Sequence, residues 1–433
     1  MQMKIKISNP KQKFSFFLIC LGLLFIPSTM RTSIFRSEVA LINLFSWLGI
    51  MLMTYKYFQN GKIIISGEGK RGITNPILII LLILLFTMEG LVLPQLTIIS
   101  ELKYIYATIL PIFILYSVLD STSIICYTKL FSRLLTIAAS IVVVCGLLDL
   151  FLEMGIGNSI ANFTAAESLI ESIRQGRLVS YFGHPLLTSE IMILCYSFNT
   201  IVNYCIEKKS IIETLYYSMI SIVGIGLCGG KTGLVLIAIE FVLLYVNKRG
   251  IKYFILVVIA VYWALGFGLL DTVIGRFITG FESGDLTTGR NTALALLLQG
   301  GTLKFNLFVG HAGTVLSEKM IAALEYPLLR WAYLFGIWFS ALLGIVLFFI
   351  PIVKAIQSKN KMIIIVLLIL ILDVNSYNGI TTQSDDMLLY CVAVFLLLNL
   401  SYILRGNKNE NMRINPKSIY PWWNSKGCNN NFE

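Results

Sequence analysis

The sequence predicts an all-α, polytopic integral membrane protein with about twelve transmembrane helices, and three observations carry that expectation. Of its 433 residues 57% are hydrophobic and only 13% are charged, too few charges to cover the surface of a soluble domain. Runs such as PILIILLILLF from Pro76 and MIIIVLLILIL from Met362 are apolar on every side. They lack the polar face that a helix packed on a soluble core turns to water. The apolar stretches also approach about 20 residues without two-residue alternation, which selects helices over barrel strands, since a helix satisfies its own backbone groups in hydrocarbon.

Taken in order, spans are expected near residues 14–30, 37–55, 74–93, 104–120, 134–152, 186–206, 211–229, 232–247, 251–270, 330–352, 362–381 and 387–404. The first run has the length of a signal peptide, but it has no small-residue cleavage site and opens a series, so it reads as a retained helix. Lysine and arginine set the orientation, because positive residues stay on the cytoplasmic side. With the N-terminus inside, the inner segments hold 23 of the 34 basic residues, in groups such as Lys4 to Lys13, Lys56 to Arg71, Lys129 with Arg133, Lys208 with Lys209, and Lys354 to Lys361. Both termini are therefore expected in the cytoplasm. Most of the +11 net charge is this orientation signal, and no nucleic-acid module accompanies it.

Residues 1–404 read as a single transmembrane helical domain and residues 405–433 as a polar, flexible cytoplasmic tail. Two extracytoplasmic loops are long, 153–185 and 271–329, and loops of that length are functional or disordered. Composition favours order: the second contains NTALALLL from Asn291 and SEKMIAALEY from Ser317, expected as short helices across the outer mouth of the bundle. Of eight cysteines most fall in or at spans, among them Cys20, Cys195, Cys228 and Cys391, and no CxxC or Cys/His cluster is present. Neither a metal nor a cofactor is expected.

The chemically notable residues lie on the outer side. The first long loop ends in RLVSYFGHPLLTSE, which sets Arg177 and His184, one of only two histidines, just before a helix. GIGLCGGKTG then joins two spans; its spacing fails the phosphate-loop motif at Ile225, and a lipid-facing helix stands where that motif needs a strand. Lys231 in this hairpin must sit near the interface, as a snorkelling side chain or as an anion ligand. The large loop supplies Arg276, Arg290, Lys304, His311, Lys319 and Arg330 beside Asp271, Glu282, Asp285, Glu318 and Glu325. TTGR followed by an apolar helical pattern sets Arg290 in the first turn of a short helix, beside unpaired N–H groups that suit an anion. A solvated helix-end arginine is the plain alternative.

The ordered series of FGHP, the Gly-rich basic hairpin, TGR, LFVGHAG and RWAYLFGIWFSALL resembles the bacterial O-antigen and capsular polysaccharide polymerase and O-antigen ligase superfamily, across roughly residues 134–352. The resemblance implies metal-independent glycosyl transfer between undecaprenyl-pyrophosphate-linked saccharides on the outer face of the bacterial cytoplasmic membrane. It also implies a chain-length regulator and a flippase as pathway partners. By motif, Arg290 matches the loop arginine that binds pyrophosphate, Lys231 stands where the family commonly has arginine, and Arg177 with His184 matches the segment before that hairpin. Arg276, His311 and Arg330 join the expected substrate-binding set, and Glu282, Asp285, Asp385 and Asp386 are candidate bases. The ligases have a histidine just before the helix that follows the large loop, whereas this chain reads EYPLLRW there. A polymerase is therefore favoured over a ligase. A lipid-linked oligosaccharide flippase or secondary transporter stays open through the carboxylates Glu89, Asp149, Glu240 and Asp373, although two similar halves are not evident.

Overall fold

The computed structural model describes residues 10–35, 42–59, 74–93, 98–115, 121–164, 167–245, 251–284, 287, 289–314, 316–377, 379–381 and 385–409. Among these the regular structure is helical throughout, with no strand. Ser123–Phe151, Pro185–Ile206, Ile211–Cys228, Ile337–Gln357 and Asp386–Leu404 are long and apolar enough to cross a membrane. A sixth span results if Lys13–Leu24 and Ser28–Phe35, which meet at 73°, count as one broken helix. Pro27 lies at that break, where a proline removes a helical N–H bond and kinks the chain. Other expected spans are shorter helices here, including Lys231–Tyr245, Ile251–Gly266 and Lys361–Val374.

Two boundaries differ from the sequence expectation for physical reasons. The helix that covers 134–152 begins at Ser121, so Lys129 and Arg133 lie on it instead of in a loop. Lys129 pairs there with Glu207, which lets a charged turn continue the helix beyond its apolar part. The single helix expected from residue 330 is broken at Gly336, with Pro327–Phe335 before it and Ile337–Gly344 after it. The segment at Asn306 and Leu307 runs against the break: Ile337 N–H donates to Asn306 O at 2.9 Å and Trp338 N–H to Leu307 O at 3.0 Å. Gly336 is at φ 87°, and a Cβ there would meet the Phe308 carbonyl at 2.8 Å, so the break depends on glycine.

Pro185–Ile206 is the central helix. Of its apolar window 94% is buried in protein, against 44% for Ser123–Phe151, and its first 17 residues pack on Ser121–Phe151, Ile211–Cys228, Lys231–Tyr245 and Lys361–Val374. Small residues permit the close approach: a Cβ at Gly224 would meet Met192 Sδ at 2.5 Å, and one at Gly230 would meet Ser189 Oγ at 2.7 Å.

The two ends of the bundle have different chemistry. One gathers the basic turns, where Lys129 meets Glu207, Lys209 meets Asn199 and Asn360 Nδ2 donates to Cys205 Sγ at 3.9 Å. The other carries the long loops, whose described residues form short helices. Gly155–Thr164 and Glu167–Arg174 pack through Ala161, Leu169, Ile173 and Val179, and Asp149 accepts from Ile156 and Gly157 N–H at 2.7 and 3.0 Å. The second loop folds as Asp271–Glu282, Arg290–Gln299 and Glu318–Ala323, with helices where NTALALLL and SEKMIAALEY were expected to form them. The last helix runs to Asn409, and the rest of the expected tail lies outside the described residues.

Candidate functional site

The helix Ile211–Cys228 ends because Gly229 turns left-handed at φ 65°, and Lys231 opens the next helix after only one further residue. The carbonyls of Cys228 and Gly229 thus form a buried, partly negative helix terminus. Two guanidinium groups reach it: Arg177 Nε donates to Cys228 O at 2.9 Å, and Arg276 Nη1 donates to Gly229 O. Arg290 arrives from the other side as the first residue of its helix, behind Gly289 at φ 88°. It ion-pairs with Glu325 and donates to Ser376 O at 2.6 Å. His184 is the N-cap of the central helix, with Pro185 at the first helical position and Nδ1 accepting from Leu186 N–H at 3.2 Å.

Two of these groups, Arg276 and Arg290, line a cavity of about 190 Å³ together with Ser189, Lys231, Tyr326, Asp373 and Tyr377 among others, and Arg177 and His184 lie near it. The cations feel one another. Burial, and then Arg276 and Arg290, push Arg177 down to about 10, and burial with Arg290 lowers Arg276. Surrounding protein atoms, with repulsion from Arg177 and Arg290, push His184 down to about 4, although the residue is exposed at the surface. At neutral pH His184 therefore brings an uncharged imidazole whose Nδ1 is occupied by the cap. Arg177 is 8% exposed, and its Nη2 is buried without a protein acceptor. Gathered guanidinium groups with spare N–H donors fit a polyanion, since each holds two oxygens in its fork.

Arg177, His184, Lys231, Arg276 and Arg290 are thus brought to one place, from segments spread over more than a hundred positions. Two expected members fall elsewhere. His311 stacks on Tyr333 at 4.7 Å between centroids, with Nε2 3.1 Å from Lys304 O. Arg330 is half-buried beside Tyr104 and Glu325, and so meets Arg290 only through their shared carboxylate.

The candidate bases change most. Asp385 is 8% exposed and is gripped by Arg31, at 2.7 Å to Oδ2 and 3.0 Å to Oδ1, with Asn43 Nδ2 at 3.1 Å. It is a buried structural ion pair that ties the first broken helix to the last loop. Asp386 is buried too. Glu282 is exposed at the end of its helix, and Asp285 lies outside the described residues. The carboxylate in the cavity wall is instead Asp373, at the end of the apolar run from Met362. Only its interruption of that run marked it, and the run reads first as a span. Glu190 accepts from the Tyr377 hydroxyl behind it.

Among the described residues no three or more His, Cys, Asp or Glu side chains are arranged to hold a metal ion. No family model matches the sequence, no curated protein is significantly similar to it, and no solved structure matches its fold.

Proposed function

We propose that the chain polymerises undecaprenyl-pyrophosphate-linked oligosaccharide repeat units into an O-antigen or capsule at the outer face of the bacterial cytoplasmic membrane. The observation that carries the reading is the convergence of Lys231, Arg276 and Arg290 on one cavity at an end of an apolar helical bundle, with Arg177 close enough to repel the two arginines. Breaking the glycosidic bond to pyrophosphate builds negative charge on the leaving oxygen. Fixed cations stabilise that charge more in the transition state than in the ground state, which is what accelerates the step. The bundle beside the cavity supplies the apolar surface a prenyl chain needs.

We read twelve spans with both termini cytoplasmic. The support is the sorting of charge, with Lys129, Lys209 and Asn360 turns at one end of the bundle and the cavity residues at the other. His311 stacked on Tyr333 outside the cavity wall offers no acceptor-activating histidine, so polymerase is preferred to ligase. Of the four carboxylates that kept a transporter open, Asp149 accepts from Ile156 and Gly157 N–H at both oxygens, whereas Glu89 accepts from Gly310 N–H at 2.8 Å and Glu240 from Ser197 at 2.6 Å through one oxygen each.

Deleting the gene and resolving the surface glycan on a gel tests the reading. Single lipid-linked repeats should accumulate while long chains vanish, and unchanged chain length would remove the proposal. Cysteines introduced at positions 231 and 290 should react with an impermeant reagent added outside, and protection from it would reverse the orientation.

A further inference from the structure

The cavity is lined by groups of opposite charge, and the reaction proposed above uses only the cations. Asp373 lines it at 4% exposure, and no protein donor reaches its Oδ2. An ionised carboxylate buried in this way costs several kcal/mol unless something donates to it. The groups behind it are not donors in reserve: the Tyr377 hydroxyl is already given to Glu190. A Cβ at Gly379 would meet Tyr377, and would lie 2.5 Å from Asp386 Oδ2, so the loop after Asp373 is folded tightly onto this acidic group. Ser189 and Ser376, with small polar side chains, complete that part of the wall. Lys231, Arg276 and Arg290 line the same cavity, and Arg290 donates to Ser376 O at 2.6 Å.

We propose that the part of the cavity at Asp373 is the acceptor subsite for a sugar hydroxyl, and that Asp373 is the catalytic base that takes its proton, an assignment that rests on the polymerase reading. A carboxylate accepts hydrogen bonds only, so the group that satisfies Asp373 Oδ2 must be a donor, and the free hydroxyl of a non-reducing sugar end is one. In the step, the acceptor oxygen forms a bond to the anomeric carbon of the donor glycan as the bond from that carbon to the pyrophosphate oxygen breaks. The bonding pair leaves on the lipid pyrophosphate, whose charge Lys231, Arg276 and Arg290 offset. The hydroxyl proton passes to Asp373 and then to the departing pyrophosphate, which restores the carboxylate.

The test uses the full-length protein in lipid nanodiscs with a synthetic polyprenyl-pyrophosphate-linked oligosaccharide, reading both glycan transfer and donor Kd. Positioned general bases contribute roughly a hundredfold or more, so Asp373→Asn should lower transfer by at least about a hundredfold while donor Kd stays essentially unchanged. Transfer by Asp373→Asn close to the wild-type rate would overturn the assignment. So would a loss of donor binding that matches the loss of transfer, because Asp373 would then belong to the anion site or the fold. Should Asp373→Asn not fold, Asp373→Glu serves, with slowed transfer at intact donor binding expected and wild-type transfer refuting. A wild-type protein that binds no donor and transfers nothing sinks the polymerase reading and this assignment together, whereas active wild-type and equally active Asp373→Asn sink only the latter.

Discussion

Replacing Arg290 separates a catalytic cation from a structural one. In the folded chain Arg290 makes an ion pair with Glu325 and one bond to Ser376 O at 2.6 Å, with side chains 21% and 29% exposed in the ion pair. An ion pair with that much solvent contributes about 1 kcal/mol or less to folding. One positioned donor facing charge that develops in a transition state contributes about 3 kcal/mol, which is roughly a 150-fold change in rate. Arg290→Ala should therefore cut transfer by about two orders of magnitude while shifting the unfolding temperature by only a few degrees. Arg290→Lys keeps the charge but loses the fork, and should fall between, near a tenfold loss. Glu325→Ala removes the carboxylate that competes for the guanidinium and should leave transfer largely intact. Rates come from a nanodisc assay with a polyprenyl-pyrophosphate donor, and stability from thermal unfolding of the same preparation. Arg290→Ala with transfer within threefold of wild type would refute the reasoning, as would an Glu325→Ala defect equal to that of Arg290→Ala.

Three further outcomes are expected. His184, held at about 4 in the fold against about 6.5 when unfolded, takes up its proton first in the unfolded chain; its contribution is complete above pH 6.5 and is lost as pH falls towards 4. Thermal unfolding in detergent should drop across that window, and His184→Asn, which can still cap the helix, should flatten the drop; equal slopes would contradict the assignment. A Cβ at Gly233 would overlap Ser189 Oγ, so Gly233→Ala should cost about 1–3 kcal/mol by overpacking, and Ser189→Ala should recover most of it; a double variant no more stable than the single one would count against this contact. Inorganic pyrophosphate at a hundred times its Kd should stabilise the wild-type protein by about 2.7 kcal/mol but stabilise Arg177→Ala less, as read by the unfolding midpoint.

Much of the fold was legible because hydrocarbon imposes a simple rule on sequence. The apolar stretches of the central and last helices are bounded by Pro185, by Cys205 and Ile206, and by Asp386, and the structure begins and ends its helices near those positions. Boundaries failed where long-range contact decides. The break at Gly336 exists because Asn306 and Leu307 pass there, and no local signal in FGIW announces a partner thirty residues upstream. The basic half of the site was legible through charge at loop ends: Arg177, Lys231, Arg276 and Arg290 are unusual residues in an apolar chain. The acidic half was not. Asp373 closes an apolar run and Asp385 sits in a polar turn, so burial looked natural for neither, and only packing distinguishes the one in the cavity from the one locked on Arg31.

The arginine arrangement is hard to explain by folding alone. Capping the carbonyls at Cys228 and Gly229 with a cation contributes about 0.3–1 kcal/mol, and one guanidinium suffices for that. Two are present, from segments far apart in sequence, and a third lies close enough to oppose them both. The second buries an N–H without an acceptor on Arg177, a cost of about 1–3 kcal/mol, and the mutual repulsion adds to it. Of these three arginines, Glu325 ion-pairs with Arg290. A chain selected for stability alone would gain by losing Arg177 or Arg276, so their joint presence points to a bound polyanion that recovers the cost. Pyrophosphate on a prenyl chain meets both demands of the place, with oxygens enough for several forks and an apolar tail that stays in the bundle's own solvent.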